Sequence, residues 1–370
     1  MMRICIDIRH LKSKPSGVGR YIKNLTEELL SAFKTEASFF LAGTKESFSL
    51  IEKDSSLYTP LISPDPERHP LSDFWFNTSF RKILETRKID LFHSTAFMSF
   101  LYKPHCRVVT TIPDRVARFY PRTVPFKFRY YLNYNVRRAI KTSTRIITIS
   151  GQVKDELLEE FPSSPPIDVV YLGTEQTPLS RDNSTRPLSS PYILVVGNVE
   201  PRKGIPEMIR AYEHYRSLFP ASKVRLVFCG QKLWNFEEPF RLAENSPFSK
   251  DILFTGYITD AQRDNWYRHA SVTSVPSLYE GFGLPVLEAM RAGAPILIHQ
   301  AKALQEIGQN LVRPTDIRNP RAAAEALHQL LSEKEQTLNR ALPYQKHREK
   351  FTWKNCAKET FNIYRMALSL

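Results

Sequence analysis

Short apolar runs alternate with longer stretches of helical period along most of this chain. Runs at 3–8, 38–42, 89–93, 107–111, 145–149 and 168–170 read as strands, and so do 192–196, 224–229, 252–255, 272–275 and 295–298. Most are mainly apolar and none alternates strictly with polar residues, as expected of strands buried on both faces. Between them lie segments of period 3.6. Ile22, Leu25 and Leu29 share one face, as do Ile205, Met208, Ile209 and Tyr212. Ser150 suits an N-cap for a helix carrying Val153, Leu157 and Leu158, and a last helix runs from about Trp353 to Leu368. Strands alternating with helices predict parallel sheets covered on both faces. The stretch 174–190, rich in Ser, Thr and Pro and without period, interrupts the pattern, and strand, glycine loop and helix then begin again. The expectation is α/β with two similar doubly wound Rossmann-like domains, 1–173 and 191–350, joined by a linker at 174–190 and facing a central cleft.

Length agrees, because 370 residues are long for one core and comfortable for two. No run approaches the ~20 apolar residues of a membrane helix, and the N-terminus enters a strand with no signal-peptide pattern, so a cytoplasmic location is expected. Cys5, Cys106, Cys229 and Cys356 lack metal-site spacing and read as reduced packing residues. The net charge of +14 suits anionic partners. Part of it is local. Arg115, Arg118, Arg122, Lys127, Arg129, Arg137, Arg138, Lys141 and Arg145 occur with no acid among them, interleaved with Phe119, Tyr120, Phe126, Phe128, Tyr130, Tyr131 and Tyr134. Two readings stand: a solvated helix whose aromatics face the core, or a face for anionic lipid or a lipid-diphosphate acceptor. The second would place the protein on the inner face of the cell membrane. Nucleic acid is not expected as a partner, since no helix-turn-helix, RRM-like or zinc pattern accompanies the charge.

The candidate chemistry gathers at 276–295, where the strand 272–275 gives way to Glu280-Gly-Phe-Gly-Leu-Pro-Val-Leu-Glu288-Ala-Met. Pro285 suits the start of a helix and Gly293 its end. The amides of Gly281, Phe282, Gly283 and Leu284 then lie at a helix N-terminus, which favours an anion. Taken singly, Glu280 and Glu288 are ordinary acids near a helix start. A second glycine loop, 197–204, carries Glu200-Pro-Arg202-Lys203, two cations at the end of a strand. A third, at 10–21, holds Gly17, Gly19 and Arg20 after the first strand, where α/β proteins bind phosphates.

Together the segments around Glu280 and Arg202 resemble the family 4 retaining glycosyltransferases of GT-B fold. The resemblance implies that Glu280 meets the donor sugar, that Glu288 accepts hydrogen bonds from the ribose, and that Arg202 and Lys203 take the charge of the leaving diphosphate. It implies further donor contacts at Gly17, Gly19, Arg20 and Gly197, and through the amides of Gly281, Phe282, Gly283 and Leu284. Gly230, Lys232, Tyr257 and Ile258 align with the wall around the nucleobase. His93 matches a family position near the sugar, and the last helix, 351–370, returns to the first domain. The first domain would serve the acceptor and the second the nucleotide sugar.

Neither cofactor nor metal is implied. The first donor expectation is GDP-mannose, with UDP-glucose, UDP-galactose and UDP-N-acetylhexosamine open, and the acceptor a glycan or lipid-linked glycan of a surface polysaccharide or glycolipid. Two departures stand out: Pro113 where the family commonly has His, and Ala303-Leu-Gln-Glu-Ile where Leu-Pro-Glu-Val is usual, so that no role is assigned to Glu306. A non-catalytic nucleotide-sugar-binding partner subunit, or a phosphorylase or epimerase of the same fold, are the alternatives.

Overall fold

The computed structural model describes all residues except 14–15, 65–71, 180–184, 334–336 and 370. The middle of the expected linker and two residues of the first glycine loop therefore lie outside the described residues. The chain forms two compact units: Met1–Arg118 with Lys127–Gly173 and Phe351–Leu370, and Thr174–Lys350 with Phe119–Phe126.

The first unit holds β1 (Met2–Asp7), β2 (Ala37–Gly43), β3 (Tyr58–Ile62), β4 (Leu91–Ser94), β5 (Arg107–Ile112), β6 (Arg145–Thr148) and β7 (Ile167–Val169). They form one parallel sheet in the order β3-β2-β1-β4-β5-β6-β7. Central strands such as β1, where Ile4, Cys5 and Ile6 are fully buried, are the continuous apolar runs of the sequence. The helix Gly17–Ala32 buries Ile22, Leu25 and Leu29, as its period predicts. Against it packs the helix Trp353–Leu368, with the Phe33 and Phe361 rings stacked at 3.9 Å. Ser150 accepts the Val153 amide and caps the helix Gly151–Glu160.

The second unit holds β8 (Tyr192–Val196), β9 (Arg225–Cys229), β10 (Ile252–Gly256), β11 (Val272–Val275), β12 (Ile296–His299) and β13 (Arg313–Thr315). All pairs are again parallel, in the order β10-β9-β8-β11-β12-β13. Ile205, Met208, Ile209 and Tyr212 of the helix Ile205–Leu218 face its core with Phe228 and Leu297.

In each sheet the order reverses once, between β1 and β4 and between β8 and β11. Loops leaving the carboxyl ends of such a pair of strands diverge to opposite faces and leave a crevice, the usual ligand position in doubly wound sheets. All four cysteines are buried and free.

Candidate active site

Two loops meet at the reversal in the second sheet. From β8 the chain runs through Gly197 to a short turn, Pro201–Lys203, and then to Gly204, which caps the helix Ile205–Leu218. From β11 it runs through Ser277 and Glu280 to Gly283, which caps the helix Leu284–Ala292; Gly293 ends that helix. The Leu278 amide donates to the Arg202 carbonyl at 2.9 Å and joins the two loops. Gly204 has φ 64°, and a Cβ there would lie 2.1 Å from the Pro276 carbonyl oxygen. Only glycine supplies both the conformation and the approach.

That seam sets the charged groups. The Glu280 carboxylate accepts from Lys203 Nζ at 2.5 Å, Arg202 Nη1 at 3.1 Å and Ser277 Oγ at 2.8 Å. Arg202 also reaches Glu200 at 2.8 Å through Nη2. Glu280 is only 8% exposed. Burial by itself raises its pKa, but Lys203 and Arg202 outweigh burial and hold the carboxyl at about 2. It is therefore a fixed anion near neutral pH, unsuited to carrying a proton. Arg202 and Lys203 keep part of their side chains open to solvent.

Glu288 lies in the second turn of the helix Leu284–Ala292 and is buried. Tyr267 donates its hydroxyl to Oε2 at 2.9 Å, and Arg263 Nε lies 3.7 Å from Oε1. Both come from the helix Asp260–His269, whose start is fixed by a Thr259–Gln262 capping box.

The remaining expected positions of this unit lie along the same carboxyl edge. Gly230 follows β9, and a Cβ there would come within 2.0 Å of the Gly197 carbonyl oxygen, so these two glycines let adjacent strand ends touch through backbone. The Lys232 ammonium lies 4.1 Å from the Phe240 ring centroid and 5.0 Å from that of Phe236. Tyr257 is exposed and Ile258 half-buried just beyond β10. Phe282 and Leu284 are buried, and the first-turn amide of Leu284 has no acceptor within its helix.

One contribution comes from earlier in the chain. The segment Phe119–Phe126 belongs to this unit. The Tyr120 hydroxyl donates to the Leu278 carbonyl at 3.0 Å, the Tyr120 and Tyr279 rings lie 5.4 Å apart, and Trp234 Nε1 donates to the Thr123 carbonyl at 2.6 Å. This strap thus holds the residues just before Glu280. Sequence reasoning missed it, along with Ser277, Glu200, Tyr267 and Arg263. A hydroxyl three residues before Glu280 and an acid inside Glu200-Pro-Arg-Lys were the available signals; Tyr267 and the strap left none.

In the first unit, Gly17, Gly19 and Arg20 lie in the first turn of a helix and not in the expected loop, because Ser16 caps at the Gly19 amide and starts the helix early. His93, in β4, has no exposed surface. Its Nδ1 meets the Tyr364 hydroxyl at 2.6 Å and its Nε2 the Thr111 hydroxyl at 2.8 Å, while Tyr21 meets Thr111 at 2.9 Å. Burial lowers the His93 pKa to about 3. With both nitrogens held by hydroxyls and the ring kept neutral by burial, His93 has a structural place in the first unit.

Comparison with known proteins follows the same division. Residues 176–348 match the profile described as "Glycosyl transferases group 1", and 15–176 that described as "Glycosyltransferase Family 4". The O-antigen chain mannosyltransferase B of Escherichia coli is 25% identical over 99% of this chain and 100% of its own. Sucrose-phosphate synthase from Thermosynechococcus elongatus superposes with a TM-score of 0.76 at 16% identity, covering 100% of both chains. HepE of Anabaena, in complex with UDP-glucose, gives a TM-score of 0.74 at 14% identity over 99% of this chain and 100% of its own. The fold is that of these GT-B proteins.

Proposed function

The chain belongs to the group 1, family 4 glycosyltransferases, and from that premise we propose that it moves a hexose, mannose first, from a nucleotide diphosphate sugar to a glycan or lipid-linked acceptor of a surface polysaccharide, with retention and without metal. The observation that carries this reading is the cluster of Arg202 and Lys203 on Glu280. Two cations held at the carboxyl edge of a sheet, beside a helix N-terminus, suit a diphosphate. The mannosyltransferase relative favours mannose, and GDP-mannose is the corresponding donor; a nucleotide sugar is also what HepE binds.

In the reaction the bond from the sugar C1 to the diphosphate oxygen breaks and a bond from C1 to the acceptor oxygen forms on the same face. The acceptor's proton passes to the departing diphosphate. Negative charge grows on the leaving group, where the partly solvent-open Arg202 and Lys203 meet it while staying beside Glu280. Glu280, ionised at the pH of the reaction, accepts hydrogen bonds from sugar hydroxyls and lies close to the developing positive charge. Glu288, oriented by Tyr267, holds the ribose hydroxyls. Counter-charge from two side chains makes a metal unnecessary.

The test is nucleotide release from a panel of GDP-, UDP- and ADP-sugars with a chelator present. One donor should turn over slowly without acceptor, and Arg202→Ala or Glu280→Ala should lower the rate by about 10² to 10³, the usual effect of removing a preorganised charge. Retention of full rate in both variants would refute the role given to the cluster, and dependence on added metal would refute the metal-free mechanism.

A further inference from the structure

The helix Phe126–Thr142, which from Lys127 onward lies in the first sheet's unit, is a basic and aromatic segment that the reaction leaves unexplained. It buries Leu132, Asn135, Val136 and Ala139. Lys127, Tyr130, Tyr134, Arg137 and Lys141 recur every three or four residues, and all five are exposed. They form one stripe. Tyr130 is 61% and Tyr134 52% exposed, and Phe128 beside them is 43% exposed. The two readings divide between the residues: Tyr131 packs against the core of this unit, whereas Phe128, Tyr130 and Tyr134 are exposed. Arg138 donates through Nε (2.8 Å) and Nη2 (2.5 Å) to the Phe100 carbonyl. It thereby anchors the next two residues, Leu101 (44% exposed) and Tyr102 (72%), to the same helix.

No Asp or Glu lies between Arg115 and Val153 in the sequence; Glu160 pairs with Arg115 and Arg118 and Asp168 with Arg145, all off the stripe. Among the described residues no helix is long and apolar enough to cross a membrane.

We propose that this stripe, with Phe128, Leu101 and Tyr102, is the docking surface for an anionic lipid bilayer. Lys127, Arg137 and Lys141 meet lipid phosphates, and the rings and Leu101 enter the interface between headgroups and acyl chains. A dissolved polyanion would satisfy the cations but leave five apolar or aromatic side chains in water. A bilayer surface takes both kinds of group.

The experiment is co-sedimentation of the full chain with vesicles of phosphatidylglycerol mixed with phosphatidylcholine, against phosphatidylcholine alone, with no donor present. Its outcome is therefore independent of the donor assignment. Binding should require the anionic lipid and fall at high salt. The combined Lys127→Glu, Arg137→Glu, Lys141→Glu variant should bind about 100-fold more weakly, as expected for three interfacial charges. The same charge change placed at Arg241, Lys346 and Lys354 should leave binding within about twofold, since those residues lie off the stripe.

Tyr130→Ser with Tyr134→Ser should weaken vesicle binding while leaving heparin binding unchanged. In hydrogen exchange, vesicles should protect residues 126–142 of the unmodified chain, a readout that needs no variant to fold. Equal binding to neutral vesicles, equal loss in the control variant, or heparin binding that falls together with vesicle binding in the tyrosine variant would each overturn the proposal.

Discussion

His93 shows how one residue's chemistry is decided by its partners. The resemblance gave this histidine a place near the sugar, although a lone His at a strand end is more often structural; here both ring nitrogens are used inside the protein, one of them to hold the last helix through Tyr364. Replacing it with Ala takes from the buried Tyr364 hydroxyl its His93 partner, leaves Thr111 with Tyr21 alone, and opens a cavity. The expected loss is roughly 2–4 kcal/mol of unfolding free energy, read from urea denaturation. Nucleotide release per folded molecule should change little.

The pH signature is specific. In the unfolded chain this imidazole titrates near its ordinary pKa of about 6.5. In the fold burial lowers it to about 3. Unfolding therefore takes up a proton in this window. The stability that neutral His93 secures is complete above about pH 6.5 and is lost as pH falls toward 3, by about 1.4 kcal/mol per pH unit. Urea midpoints of His93→Gln should show a shallower slope across that window; an unchanged slope would show that another group titrates there.

Elements are where sequence and structure part company. The central strands were legible because they are buried on both faces and mainly apolar, as in β1 and β8. The two strands that escaped, β3 and β13, are edges of their sheets. They are short, carry Pro60 and Pro314, and expose Pro60 and Ile62 in β3 and Arg313 and Pro314 in β13, with no long run of apolar residues. Ser16 set the helix start earlier than the glycines suggested. In the site, Glu280, Arg202 and Lys203 were legible because their spacing with glycine and proline is local. Tyr267 and the strap Phe119–Phe126 act across long sequence separations, and nothing in their own neighbourhoods marks them.

The seam between the loops of β8 and β11 gives a prediction at this scale. Gly204→Ala adds a methyl group 2.1 Å from the Pro276 oxygen at a φ of 64°. The loops must separate, so donor binding should weaken by at least about tenfold. Stability should fall by about 1–3 kcal/mol, the range for a strained position. Isothermal titration with nucleotide and thermal unfolding together measure it. Normal binding in the variant would mean that the seam does not set the site.

For the whole molecule, acid has a different reach in the two units. The first contains His93 and also the buried Asp7–Arg9 pair, bidentate at 2.6 and 2.9 Å. Burial opposes ionisation of Asp7, but Arg9 outweighs it and lowers the pKa. The second unit contains Glu280, held at about 2, and His299 and His347, whose pKa values burial also lowers, though neither is as completely buried as His93. Both carboxylates have depressed folded pKa values, so their stabilisation is present above about pH 4, the ordinary carboxylate range, and is lost as pH falls through the folded values. His93 begins to weaken the first unit well above that range. Hydrogen exchange during acid titration should show β4 and β5 opening before β8 and β11. The reverse order would mean that groups other than these govern acid unfolding.

The prolines of β3 and β13 have a further consequence. A sheet edge is a template on which another chain can add a strand, and each of these two edges lacks an amide donor where a newcomer needs one. With like charge repelling neighbouring copies, molecules crowded onto one small area are kept from polymerising edge to edge.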